Sequence, residues 1–189
     1  MAEYLKDIAS TQLGLILERK KAENDSIYVY NRLTLRAVEN DGINPNAIEP
    51  FYSKEPVLHE YLTQSGTIIM KLFFPFNPVV ITRETEGYLF PSQIISIKPN
   101  KHIIPEYLCF YLSQESVAKR LLENYFWIAQ RAITVDSLSN LKIKVPSLEK
   151  QRLICEYNQN YKYLCRLRKE LERNEQDKMK YIFSELNKE

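Results

Sequence analysis

At 189 residues the chain can bury one core of about 150 residues and still carry an appendage, and 44% apolar with 12% aromatic residues excludes a low-complexity or disordered protein. No apolar run approaches the roughly 18 residues of a membrane span, and the opening MAEYLKDIAS has neither the basic nor the apolar segment of a secretory signal, so the cytoplasm is the expected compartment. A net charge of +2, with 16 basic and 16 acidic residues over Met1–Val145 and 10 and 8 over Pro146–Glu189, gives no global field able to recruit a polyanion; contact with nucleic acid would need a local patch.

The first sixty residues show one β pattern. Ile27–Val38 (IYVYNRLTLRAV) is rich in β-branched and aromatic residues and alternates toward its end, which predicts a strand pair. Glu39–Pro56, with Asp41-Gly42, Asn44-Pro45 and two further prolines, reads as a long turn-rich loop. Thr67–Phe73 follows Ser65-Gly66 as a buried strand, and Val79–Thr82 and Gln93–Lys98 read as two more. Pro105 suits a first helical position, and Leu108, Tyr111, Leu112, Ala118, Leu121 and Leu122 then recur near 3.6 spacing, predicting one helix to about Asn124. The aromatic turn Tyr125-Phe126-Trp127 leads through Ile128–Thr134 to a short turn or helix at Asp136–Asn140.

The segment Leu138–Ile154 runs a strand, a stop and a helix start together. Leu141, Ile143 and Val145 alternate with Lys142 and Lys144 in the period of a half-buried strand. Pro146 removes a ladder donor, Ser147 is a natural N-cap, and Glu149 lies in the first turn, where the helix dipole favours an anion. No Pro or Gly follows, so a single helix of about 60 Å is expected. The fold class is α+β: one globular domain over 1–146 with short mixed strands and a few helices, then one long C-terminal helix over 147–189. Ile154, Tyr157, Tyr161, Leu164, Leu171 and Ile182 share a heptad frame that Arg168, Glu175 and Lys178 interrupt. So polar a helix is not stable alone, and its stripe is expected to pair with another helix, in a second copy or another subunit.

Four glycines, Gly14, Gly42, Gly66 and Gly87, cannot form a phosphate-cradling loop. His59 and His102 have no ligand at metal-binding spacing, and Cys109, Cys155 and Cys165 read as reduced thiols. No catalytic residue, metal or cofactor is expected in the chain. Asp7, Glu18 and Lys20 are the best residual enzyme argument, an acid and acid-x-Lys set of the kind that holds Mg²⁺ in a nuclease; a solvated charged loop is the plainer explanation. The nucleic-acid candidates are Arg19, Lys20 and Lys21 before the first strand pair, Tyr28, Tyr30, Arg32 and Arg36 on it, and Gln130-Arg131 after Trp127. Lys and Arg position a duplex through phosphates, while Arg and Gln can read base edges. Taken singly, each is also an ordinary solubilising residue.

The run NLKIKVPSLEKQRLI, preceded by IIPEYLCFYL, YLFPSQIISIKP and YLTQSGTIIMKL, resembles the segments that build and close a target recognition domain in the specificity subunits of type I restriction-modification systems. The resemblance covers the chain from about Tyr61 onward. It departs at Lys150, where the family usually has a carboxylate, and where a capping box also fails because Lys cannot accept a hydrogen bond. It implies a non-catalytic DNA-recognition subunit. Full-length members carry two recognition domains separated by two helices; with one of each, this chain would need a homodimer to read a bipartite site on double-stranded DNA. Partner methyltransferase and nuclease-translocase subunits would supply the S-adenosylmethionine and ATP chemistry. A stand-alone Mg²⁺-dependent nuclease and a coiled-coil decoy without DNA binding remain the alternatives.

Overall fold

A strand apolar at consecutive positions needs a core on each side, because side chains alternate between faces; Ile68, Ile69 and Met70 meet that condition at the centre of the molecule. The computed structural model describes residues 2–22, 26–40, 42–123 and 132–187. Its elements are β1 (Ala2–Tyr4), α1 (Leu5–Ile8), β2 (Ala9–Leu13), β3 (Tyr28–Leu33), β4 (Val38–Glu39), β5 (Gly42–Ile43), β6 (Ile48–Ser53), β7 (Ile68–Lys71), β8 (Val79–Val80), β9 (Ile94–Pro99), α2 (Pro105–Leu112), α3 (Glu115–Leu122), α4 (Val135–Ser139), β10 (Lys142–Lys144) and α5 (Leu148–Leu186).

An antiparallel sheet of order β2-β9-β7-β8 divides two cores. On one face Ile68, Met70, Ile95 and Ile97 pack with Leu5, Ile8, Leu108, Leu112, Val117, Leu121, Leu138 and Ile143. On the other, Ile69 and Ile94 meet Leu33, Ala37, Val38, Val79, Ile81 and Phe90. Gly14 carries the chain out of β2 where no side chain fits, since a Cβ there would lie 2.1 Å from the Pro91 carbonyl oxygen.

Three expectations change. The segment Ile27–Val38 is not a strand pair: β3 pairs instead with β6, from Tyr28↔Ser53 to Leu33↔Ile48. Its partner therefore comes from the stretch read as a loop, whose prolines and Asn-Pro turn flank a six-residue strand. Pro50 is exposed and lies within that strand, opposite Asn31. The long helix from Pro105 is two helices. The Ser113 hydroxyl and the Gln114 amide both donate to the Phe110 carbonyl, and Gln114 is extended as the N-cap of α3. Polar side chains that bond a helix's last carbonyls, as the short Ser113 does, offer the backbone an alternative to continuing the ladder. The aromatic turn Tyr125-Phe126-Trp127 lies outside the described residues.

The start of the chain, unassigned from sequence, closes the body. β1 pairs antiparallel with β10, from Ala2↔Lys144 to Tyr4↔Lys142. The other edge of β10 is covered by helix side chains. The hydroxyls of Tyr107 and Tyr111 donate to the carbonyls of Lys144 and Lys142, and Arg120 Nη2 donates to Lys142 O at 2.8 Å. Four residues of helix rise about 6 Å and two of strand about 6.8 Å, so tyrosines at i and i+4 match carbonyls at j and j+2.

The long helix starts where the sequence places it. Ser147 caps it by accepting from Lys150 N, worth about 1 kcal/mol. Gln151 is the one fully buried residue of α5. Its Oε1 accepts from Ile104 N at 2.8 Å, and its Nε2 donates to the carbonyls of His102 and Pro146, both at 3.0 Å. One amide thus ties the helix to the end of β10 and to the N-cap of α2. From Arg166 onward every described side chain of α5 is exposed, so the helix projects from the body rather than folding back over it.

Gln151→Ala would strand the part-buried Ile104 N–H and free two carbonyls. The expected loss is about 2–3 kcal/mol, read from the urea midpoint together with faster proteolysis near Pro146. A loss below about 0.5 kcal/mol would contradict this role.

Candidate nucleic-acid interface

The cationic segment predicted before β3 is held beside β6. Lys54 N donates to Lys20 O at 2.8 Å and Ala22 N to Tyr52 O at 2.9 Å, with Lys21 bridged antiparallel to Ser53. Residues 20–22 therefore extend the ribbon that β3 and β6 form. Arg19 and Lys21 are exposed, whereas the Lys20 ammonium pairs with Glu55.

Strand alternation sorts the β3 candidates. Tyr28, Tyr30 and Arg32 share a face with Ser53, Phe51 and Glu49, their partners in register, and Phe51 and Ser53 are buried. That face is the inner one. The Tyr30 hydroxyl accepts from Val57 N at 2.9 Å and its ring packs on the cluster of Leu15, Phe51 and Leu89. Arg32 is 29% exposed and its guanidinium pairs with Glu49. On this face Tyr30 holds the ribbon to the body and Arg32 is engaged within the ribbon, so neither presents a free outward side chain. Arg36 is different: it is 85% exposed, and its one ion pair among the described residues is a 3.9 Å contact with Glu49. Gln130 and Arg131 lie outside the described residues. Lys54, exposed at the end of β6, was not among the candidates because its strand was hidden in a stretch dominated by turn residues.

The structure does not assemble the nuclease set. Asp7 belongs to α1, Glu18 to a 3-10 turn after β2, and Lys20 is engaged by Glu55. Among the described residues no group of three or more His, Cys, Asp or Glu could hold a metal ion, and no helix is long and apolar enough to cross a membrane.

Of the heptad residues on α5, Tyr157, Tyr161, Leu164, Leu171 and Ile182 are exposed. Ile154 is half-buried, because α5 packs against α2 at its base; it serves the body as much as any helix partner. Between α2, α5, β5 and β8 lies a cleft of about 920 Å³, lined in part by Glu106, Cys109, Cys155, Asn158, Lys162 and Arg166. Cys109 donates its thiol to Pro78 O at 3.2 Å, and burial pushes its pKa up to about 11.

The sequence profile described as the type I restriction modification DNA specificity domain matches residues 4–178. In fold, the chain is similar to the HsdS subunit from Thermoanaerobacter tengcongensis, with TM-score 0.73 and 15% identity over 96% of this chain and 47% of that one. It is also similar to a chain from work on the "structural basis underlying complex assembly and conformational transition of the type I R-M system", with TM-score 0.61 and 16% identity over 88% of this chain and 39% of that one. The chain spans less than half the length of either. No curated protein matches it by sequence.

With its thiol held protonated at neutral pH, Cys109 is expected to resist iodoacetamide in the folded chain and to react once urea unfolds it. Equal rates in the two states, followed by mass spectrometry of the labelled peptide, would contradict the packing of α2 on β8.

Proposed function

Because the chain belongs to the type I restriction-modification DNA specificity family, we propose that it reads one half of a bipartite duplex site, and that two copies paired through α5 read the whole. The observation that carries this reading is the joint at Gln151, whose side-chain amide bonds the first turn of the projecting helix Leu148–Leu186 to the body. A helix of 39 residues extends about 58 Å. When two such helices pair about a two-fold axis, their length becomes the distance between two identical domains. The exposed stripe of Tyr157, Tyr161, Leu164 and Leu171 is the surface that needs such a partner.

Phosphate contact would come from exposed Arg19, Lys21, Arg36 and Lys54, a local patch on a chain of net charge +2. The chain contributes recognition and no chemistry of its own. Methyltransferase and nuclease-translocase subunits would act on the DNA that it selects, in keeping with the assembly named for its structural neighbour.

The full chain is expected to sediment as a dimer at micromolar concentration, and Leu164→Glu, which puts a charge at mid-seam, to weaken the dimer roughly tenfold or more. A strict monomer at high micromolar concentration would overturn the pairing. Duplex affinity, measured by mobility shift with the methyltransferase subunit present, is expected to fall with a log-log salt slope of about −3 or steeper if four phosphates are neutralised. A flat salt response would contradict the cationic patch.

A further inference from the structure

The outward face of the β3–β6 ribbon is built from the residues that alternate with Tyr28, Tyr30 and Arg32. It carries Val29 and Asn31 from β3 and Tyr52 and Pro50, their partners in register, from β6. Asn31 is exposed, Val29 is 53% exposed, and Ile27 and Lys54 extend the face at one end. Three of its polar side chains, Asn31, Tyr52 and Lys54, have no hydrogen-bonding or ionic partner for their side chains among the described residues. Resting on the DNA-reading function above, we propose that this face is the base-reading surface of the domain and that Asn31 is a specificity-determining residue that hydrogen-bonds a base edge.

Charge and shape both favour a duplex as the occupant. Glu49 is the one acid of β3 and β6, and it stands on the inward face against Arg32; Glu55, just past β6, is engaged by Lys20. The outward faces of the two strands therefore present no carboxylate to a phosphate backbone. Arg36 lies beyond the Leu33↔Ile48 end of the ribbon and Lys54 beyond the Tyr28↔Ser53 end. Five steps of strand separate those ends by about 17 Å, enough for the two cations to bracket a major groove about 12 Å wide.

The side chains between them suit base edges. A carboxamide offers one acceptor and one donor in a fork, which matches the N6 donor and N7 acceptor of adenine. The methyl groups of Val29 suit the thymine methyl. Tyr52 lies opposite Val29 and one diagonal step from Asn31, so its hydroxyl reaches a neighbouring position.

The test is selection from a randomised duplex pool by the full chain together with its methyltransferase subunit. The wild type is expected to enrich a defined motif. Asn31→Leu, close to isosteric, is expected to lose roughly 5- to 150-fold discrimination at one base pair of each half-site while keeping the remaining positions. Its thermal midpoint should stay unchanged, because Asn31 supports the fold through its backbone, which the substitution keeps, and not through its side chain. Tyr28→Phe, on the inward face, is expected to keep the motif whole. A motif left unaltered by Asn31→Leu would overturn the assignment of this face and leave the DNA-reading function standing. A wild-type chain that enriches no sequence would overturn both.

Discussion

Gln151 is the side chain on which the use of this fold depends. A buried carboxamide has one acceptor and two donor hydrogens, and here all are engaged by backbone groups from three places: the end of β10, the loop before α2 and the α2 N-cap. Buried polar groups are costly unless paired, so the helix has one orientation that satisfies them all. A longer or shorter side chain at this position would leave at least one group without a partner. The direction of a projecting helix is thereby set at its first turn, and a rigid root allows helix length to act as distance.

The body is arranged to keep that root still. β10 ends three residues before Ser147, and it is fixed on both edges, by β1 through backbone pairing and by Tyr107, Tyr111 and Arg120 through side chains. Tyr107 and Tyr111 sit on α2, whose N-cap Gln151 also holds. The same helix therefore grips the strand and the base of α5. The double-sided sheet behind it, with β7 buried on both faces, supplies the stiffness. The β3–β6 ribbon, attached through Tyr30 and Phe51 and by backbone bonds to Leu89, leaves its other face open.

What sequence reasoning could see follows from the range of the signal. The β10–Pro146–Ser147–α5 handover is local, since alternation, a donorless residue and a cap all lie within a dozen positions, and it appears where expected. Ile68–Met70 was legible for the same reason. The pairing of β1 with β10 joins residues about 140 apart and leaves no local trace. β6 was missed because Asn44-Pro45, Pro50 and Pro56 outweighed the alternation between them. Without that partner, nothing in β3 itself shows which of its two faces meets the core, so Tyr28, Tyr30 and Arg32 cannot be told from an outward-facing set by sequence. Gln151 was visible as part of a family resemblance, but its three partners were not.

The proposed role rests on geometry passed to a partner. Mapping the methylated bases in DNA from cells that hold this chain with a type I methyltransferase subunit measures that geometry directly. The expected result is one half-site repeated in inverted orientation across a fixed gap. A contiguous site, two unlike half-sites or no methylation would contradict the pairing of two identical domains through α5.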